Sequence, residues 1–107
     1  MLVHCRAAQE FARGYTWQTF LADPKTQAAC MHALLIVGEA ASKLPLEFRQ
    51  GHPEIRWNSL INARGKFIHG YDSIHWNRVW TMVQRDMIAL ESRLVALLQA
   101  LDSPEQL

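Results

Sequence analysis

Trp76, Trp80, Val83, Met87, Leu90, Leu94, Leu97 and Leu101 are separated by alternating steps of four and three, a repeat that an α-helix brings to one side and a strand does not. Such a seam needs another helix to cover it. Asp102-Ser103-Pro104 then stops the helix, because proline cannot continue the hydrogen-bond ladder, and the residues beyond it are expected to fray. No segment alternates apolar and polar residues in the manner of a half-buried strand, and no internal repeat or low-complexity tract is present. The expected fold class is therefore all-α, an up-and-down helical bundle.

The rest of the chain supplies the partners. Leu2, Val3, Ala7 and Phe11 share one helical face, and Gly14 is placed to end that helix. Thr16 is a cap for a brief helix through Phe20, and Asp23-Pro24 combines a capping side chain with proline at the first helical position. A long helix is expected from Pro24 to Leu44, with Ala28, Met31, Leu34, Leu35, Gly38 and Ala41 on its buried stripe. Gly38, with Ala40 and Ala41, lets a second backbone come close, which offsets the roughly 1 kcal/mol that a glycine costs inside a helix. The same segment is also suited to a contact between subunits. Pro45, Gly51 and Pro53 interrupt the pattern, leaving a turn or short helix over Leu46 to Gln50 and an extended link through Glu54. Trp57, Leu60, Ile61, Phe67 and Ile68 resume helical spacing, and Gly70 marks its end.

The 107 residues suit one domain, 1–107, and with 50% hydrophobic and 20% charged residues the balance is that of a folded chain. A formal net charge of +1 gives no global pull on nucleic acid, so any anionic partner must be held by a local arrangement of charge. Cys5 and Cys30 have neither zinc-ligand spacing nor the density of a disulfide scaffold, which points to a reducing, cytoplasmic setting. No run of about 18 apolar residues spans a bilayer, and Met1 to Arg6 lacks the order of a signal peptide, so no membrane association is expected. His4, His32, His52 and His75 lack metal-ligand spacing and no glycine-rich phosphate loop occurs, so neither a metal nor a cofactor is expected.

Chemistry concentrates between Arg64 and Tyr71. Arg64 falls near the centre of the apolar cluster formed by Trp57, Leu60, Ile61, Phe67 and Ile68. A guanidinium cannot shed its charge, so there it must face a carboxylate, an interface or an anionic ligand; a structural ion pair with Glu39 or another acid and a functional role both satisfy that need. His69 lies about 140° from Arg64 on an ideal wheel, at a helix C-terminus that favours an imidazolium.

Arg64-x4-His69-x-Tyr71 resembles the signature of the HEPN superfamily, in particular its HepT-like branch. Val37-Gly38-Glu39-Ala40-Ala41-Ser42-Lys43-Leu44-Pro45, His52-Pro53-Glu54-Ile55-x-Trp57 and Val79-Trp80 are similar to further landmarks of that branch, in the same order. The resemblance implies a symmetric homodimer in which two helix ends build one cleft, and a metal-independent endoribonuclease toxin with RNA as substrate. It assigns catalysis to Arg64 and His69, and Tyr71 to modification with AMP by a nucleotidyltransferase antitoxin, with Glu39 and Lys66 in support. Gly65 departs from the branch, which usually has a polar residue after the arginine, and this raises the alternative of an inactive module that only dimerises and engages the nucleotidyltransferase. His75 stands where the branch often has an aspartate cap.

Overall fold

Side-chain caps start the second and third helices of the computed structural model, which describes residues 1–69 and 74–102. Helix α1 (Leu2–Phe11) closes at Ala12, and Gly14 follows at φ +79°, a left-handed conformation that glycine adopts without steric cost. Thr16 caps α2 (Trp17–Leu21): its hydroxyl accepts from the Thr19 N–H at 3.2 Å, while the Thr19 hydroxyl accepts from the Thr16 N–H at 2.8 Å. Asp23 caps α3 (Pro24–Ser42), with Oδ1 accepting from the Thr26 N–H at 3.1 Å and Oδ2 from the Tyr15 hydroxyl at 2.7 Å.

These bonds hold the Asp23 carboxyl below its usual pKa, the Tyr15 hydroxyl contributing most. Glu91 is lowered likewise, first by the Arg6 guanidinium at 3.0 Å and then by Gln9. A depressed folded-state pKa adds stability that is complete above the ordinary values of 3.8 and 4.5 and is lost as pH falls below them. The melting temperature should therefore fall on acidification through that range. Asp23→Asn should flatten the drop, which a pH series of thermal melts would show.

Helix α3 ends two residues before the expected Leu44, because tight bonds from Lys43 N–H to Ala40 O and from Leu44 N–H to Ala41 O close its last turn. The short helix α4 (Leu46–Gln50) follows as expected. The link beyond it is not extended through Glu54. Ile55 N–H donates to His52 O at 3.3 Å and the Trp57 indole N–H donates to the same oxygen at 3.0 Å, folding the segment into a turn. Helix α5 (Trp57–His69) comes next; Gly70, its expected end, lies outside the described residues.

The periodic seam forms α6 (Trp76–Thr81) and α7 (Met87–Leu101), joined without a break by a widened π-turn, Met82–Asp86. His75 sits at the N-cap of α6 with no side-chain cap bond. His75→Asp should therefore add about 0.5 to 2 kcal/mol of stability by supplying the missing acceptor, seen as a higher denaturant midpoint.

Helix α3 lies between α1 and α5, and α1 packs in turn on α7. One end of the bundle collects the start of α1, the region just after α3, the start of α5 and the end of α7, as Leu2, Leu44, Trp57 and Leu98 line a common groove. The four long helices thus alternate in direction, the expected up-and-down arrangement. The opposite end is sealed by Trp17, Phe20, Trp76 and Trp80, with the Phe20 and Trp80 ring centroids 5.0 Å apart. The core runs through Ala8, Cys30, Leu34, Val37, Val79, Val83 and Met87, all buried. Cys5 and Cys30 are buried free thiols pushed up to about 11 by desolvation, so they behave as small apolar residues.

The buried stripe of α3 is rotated from its expected position. Ala28 is exposed, whereas Gln27 is buried with its amide donating to Leu21 O at 3.0 Å. Packing on both α1 and α5 widens the covered arc, and a satisfied polar side chain joins it.

Candidate active site where α3 meets α5

Gly38 sets the distance between these two helices. A Cβ at this position would lie 2.6 Å from both the Arg64 Cβ and the Leu60 carbonyl oxygen, so only glycine permits the approach. The expected close contact is therefore realised, and it is made against the arginine itself. The next residue on α3, Glu39, then meets the Arg64 side chain: Nε donates to Oε2 at 2.5 Å. The other Glu39 oxygen lies 3.7 Å from Lys43 Nζ, one helical turn further on.

The arginine on the apolar face is thus paired, which answers the cost of placing a guanidinium there. Pairing does not exhaust it. The Arg64 and Glu39 side chains keep 32% and 34% of their surface open to solvent, and the bond to Glu39 uses Nε alone. Among the described residues, no side-chain oxygen holds the two terminal nitrogens. A guanidinium gripped by its inner nitrogen and open at its outer fork presents paired donors in a fixed plane, which suits a phosphate or another oxyanion.

The other expected site residues stand differently. His69 closes α5 five residues after Arg64. Its side chain and Tyr71 lie outside what the structure describes. Lys66 is exposed about 200° from Arg64, on the face away from Glu39, and does not join the pair. Gly65 has open space where a side chain would be, with nothing within 4 Å of a Cβ. Lys43 belongs to the cluster although sequence reasoning did not name it; its spacing of four from Glu39 was the available signal. The stripe of α5 is also shifted around the helix from its expected position, since Ile68 is exposed while Ala63 joins Trp57, Leu60 and Phe67 in the core.

Fold and site together define an all-α bundle that presents a carboxylate-anchored arginine at the contact of two helices. This chain belongs to the HepT-like family, whose description, Ribonuclease HepT-like, matches residues 1–97. It is 38% identical over 85 residues to a probable ribonuclease HepT of Thermococcus cleftensis, covering 79% of this chain and 77% of that one. It is 30% identical over 99 residues to a candidate RNase of Caldanaerobacter subterraneus subsp. tengcongensis, covering 92% and 88%. No solved structure matches.

Proposed function

We propose that this chain is a metal-independent endoribonuclease whose cleft forms where two copies meet. The observation that carries the reading is Arg64, anchored through Nε to Glu39 and with about a third of its side chain still open to solvent. Family membership and relatives named as ribonucleases supply the class of substrate. In this chemistry an RNA 2′-oxygen attacks the adjacent phosphorus and the bond to the 5′-oxygen breaks. His69 carries the proton lost by the 2′-hydroxyl and returns one to the leaving oxygen, and Arg64 stabilises the charge gathering on the phosphoryl oxygens. The products are a 2′,3′-cyclic phosphate and a free 5′-hydroxyl. The divergence of Arg64 and His69 around α5 is met by a two-fold axis, which lets one protomer's arginine act with its partner's histidine.

In the fuller form of this proposal the enzyme is a toxin, held off by a nucleotidyltransferase that attaches AMP to Tyr71. The added phosphate would repel an RNA phosphate and obstruct the cleft. Purified protein should cleave RNA in the presence of a chelator and leave cyclic phosphate ends, and His69→Ala should nearly silence it. Cleavage that survives unchanged in His69→Ala sinks the assignment.

The empty surroundings of Gly65 favour a second reading. Without a polar side chain there, the chain would be an inactive module that dimerises and binds the nucleotidyltransferase. No RNA cleavage together with a stable complex between the two proteins would establish it, and growth arrest relieved by His69→Ala would exclude it.

A further inference from the structure

On the flank of α5 turned away from Glu39, a cleft of about 330 Å³ opens between the start of that helix and the π-turn and first half of α7. Its floor is aliphatic: Ile55, Leu60, Met82 and Leu90 are buried beneath it. Its rim carries three exposed arginines, Arg56, Arg85 and Arg93, against a single acid, Asp86. Arg85 lies 3.8 Å from its neighbour Asp86, and Arg56 and Arg93 have no ion-pair partner among the described residues. The π-turn contributes Met82, Arg85 and Asp86, and widened turns of this kind are frequent at functional sites.

A separate apolar groove lies further along α7. Beyond Arg93 the same helix, with Trp57 of α5, lines a second apolar groove of about 330 Å³ that includes Leu94, Leu97, Leu98 and Leu101. Leu98 and Leu101 are exposed there, as is Val3 on its far side. From Met82 to Arg93 the arginine-rimmed cleft is roughly 16 Å long at the rise of an α-helix, about three helical turns.

Three kinds of occupant differ in what they ask of this surface. A second copy meeting it across a two-fold axis would set Arg56, Arg85 and Arg93 with Asp86, a net +2, against the same +2. Single-stranded nucleic acid binds through aromatic platforms as well as cations, and the arginine-rimmed cleft has no aromatic residue in its lining. A polypeptide helix fits both features, since aliphatic side chains at helical spacing fill the floor and carboxylates along its flank meet the arginines. We infer that the arginine-rimmed cleft between the start of α5 and the π-turn and α7 is a docking groove for an acidic amphipathic helix of a partner protein. It is separate from the Arg64 site, because Arg56 and Ser59 lie about 80° and 140° from Arg64 around α5.

A library of displayed 18-residue peptides, selected on the wild-type protein with counter-selection on the triple variant Arg56→Glu, Arg85→Glu, Arg93→Glu, tests the groove. The selected peptides should carry Leu or Ile at spacings of three and four with Glu or Asp beside them. The tightest should lose at least tenfold in affinity for the triple variant, and recover it when its own acids are changed to lysine. All three substitutions are at exposed positions, so the variant's helical circular dichroism should be unchanged. A milder variant, with each arginine changed to Gln, keeps the test open if the reversal unfolds the chain; it too should weaken binding. Selection of peptides without acids or helical spacing overturns the inference, as does equal binding to wild type and variants. It is overturned equally if the triple variant loses affinity for a single-stranded RNA 20-mer instead, or if its sedimentation changes from dimer to monomer.

Discussion

Arg64→Ala should lower the rate of RNA cleavage by about 100 to 1000-fold while leaving the fold in place, the loss expected when one donor of an electrostatic site is removed. The fold should survive because Glu39, about one-third exposed, keeps Lys43 and water as partners once the guanidinium is gone. Partly exposed ion pairs contribute at most about 1 kcal/mol, so the thermal midpoint should move little. Arg64→Lys should recover little of the rate, because one ammonium cannot both hold Glu39 and present a planar fork to a phosphate. Glu39→Gln separates anchoring from charge. Its amide oxygen still accepts from Nε, but without the carboxylate the arginine is held less firmly, and a drop of about tenfold, near 1.4 kcal/mol in the barrier, is expected. Single-turnover cleavage of a defined RNA would rank the three variants. Equal rates for wild type and Arg64→Ala would remove the arginine from the chemistry.

The pair also shows what a linear sequence could say about this site. An arginine amid Trp57, Leu60 and Phe67 had to be compensated, and Glu39 was one of several acids that charge alone allowed as its partner. That the arginine is paired through Nε and still about a third exposed was not legible, since it depends on which guanidinium nitrogen faces α3. Gly38 was legible as a close-contact residue, but its neighbour across the contact, the stem of Arg64, emerges only when α3 and α5 are docked. The starts of α2 and α3 followed caps and a proline, chemistry that acts over three or four residues and is therefore local. The rotated stripe of α3 was not visible because alanines at 28, 29 and 33 carry no periodic signal and Gln27 hides a satisfied amide. The π-turn at Met82–Asp86 left no trace in the seam, whose four-and-three steps run straight through it. For the same reason the gathering of Arg56, Arg85 and Arg93 at one cleft was missed, since residues from two helices share it.

Two glycines in the middle of helices should respond in opposite directions to the same change. At Gly65 an added methyl meets nothing within 4 Å, so Gly65→Ala collects the helix-propensity gain of about 1 kcal/mol without strain and should raise the melting temperature. At Gly38 the same methyl would sit 2.6 Å from the Leu60 carbonyl oxygen and the Arg64 Cβ, neither of which can swing aside as a side-chain tip would. The helices must part, and overpacking of this kind costs about 1 to 3 kcal/mol, more than propensity returns. Gly38→Ala should therefore lower the midpoint by several degrees, at roughly 4 to 8 °C per kcal/mol for a chain of this size. Parting α3 from α5 also moves Arg64 relative to its anchor, and a displacement near 1 Å at a reacting centre costs on the order of 100-fold in rate. Cleavage assayed well below the melting temperature of Gly38→Ala should fall by a factor of this size even though Arg64 and Glu39 are both still present. A Gly38→Ala protein as stable and as active as wild type would mean that α3 and α5 do not approach as closely as the site requires.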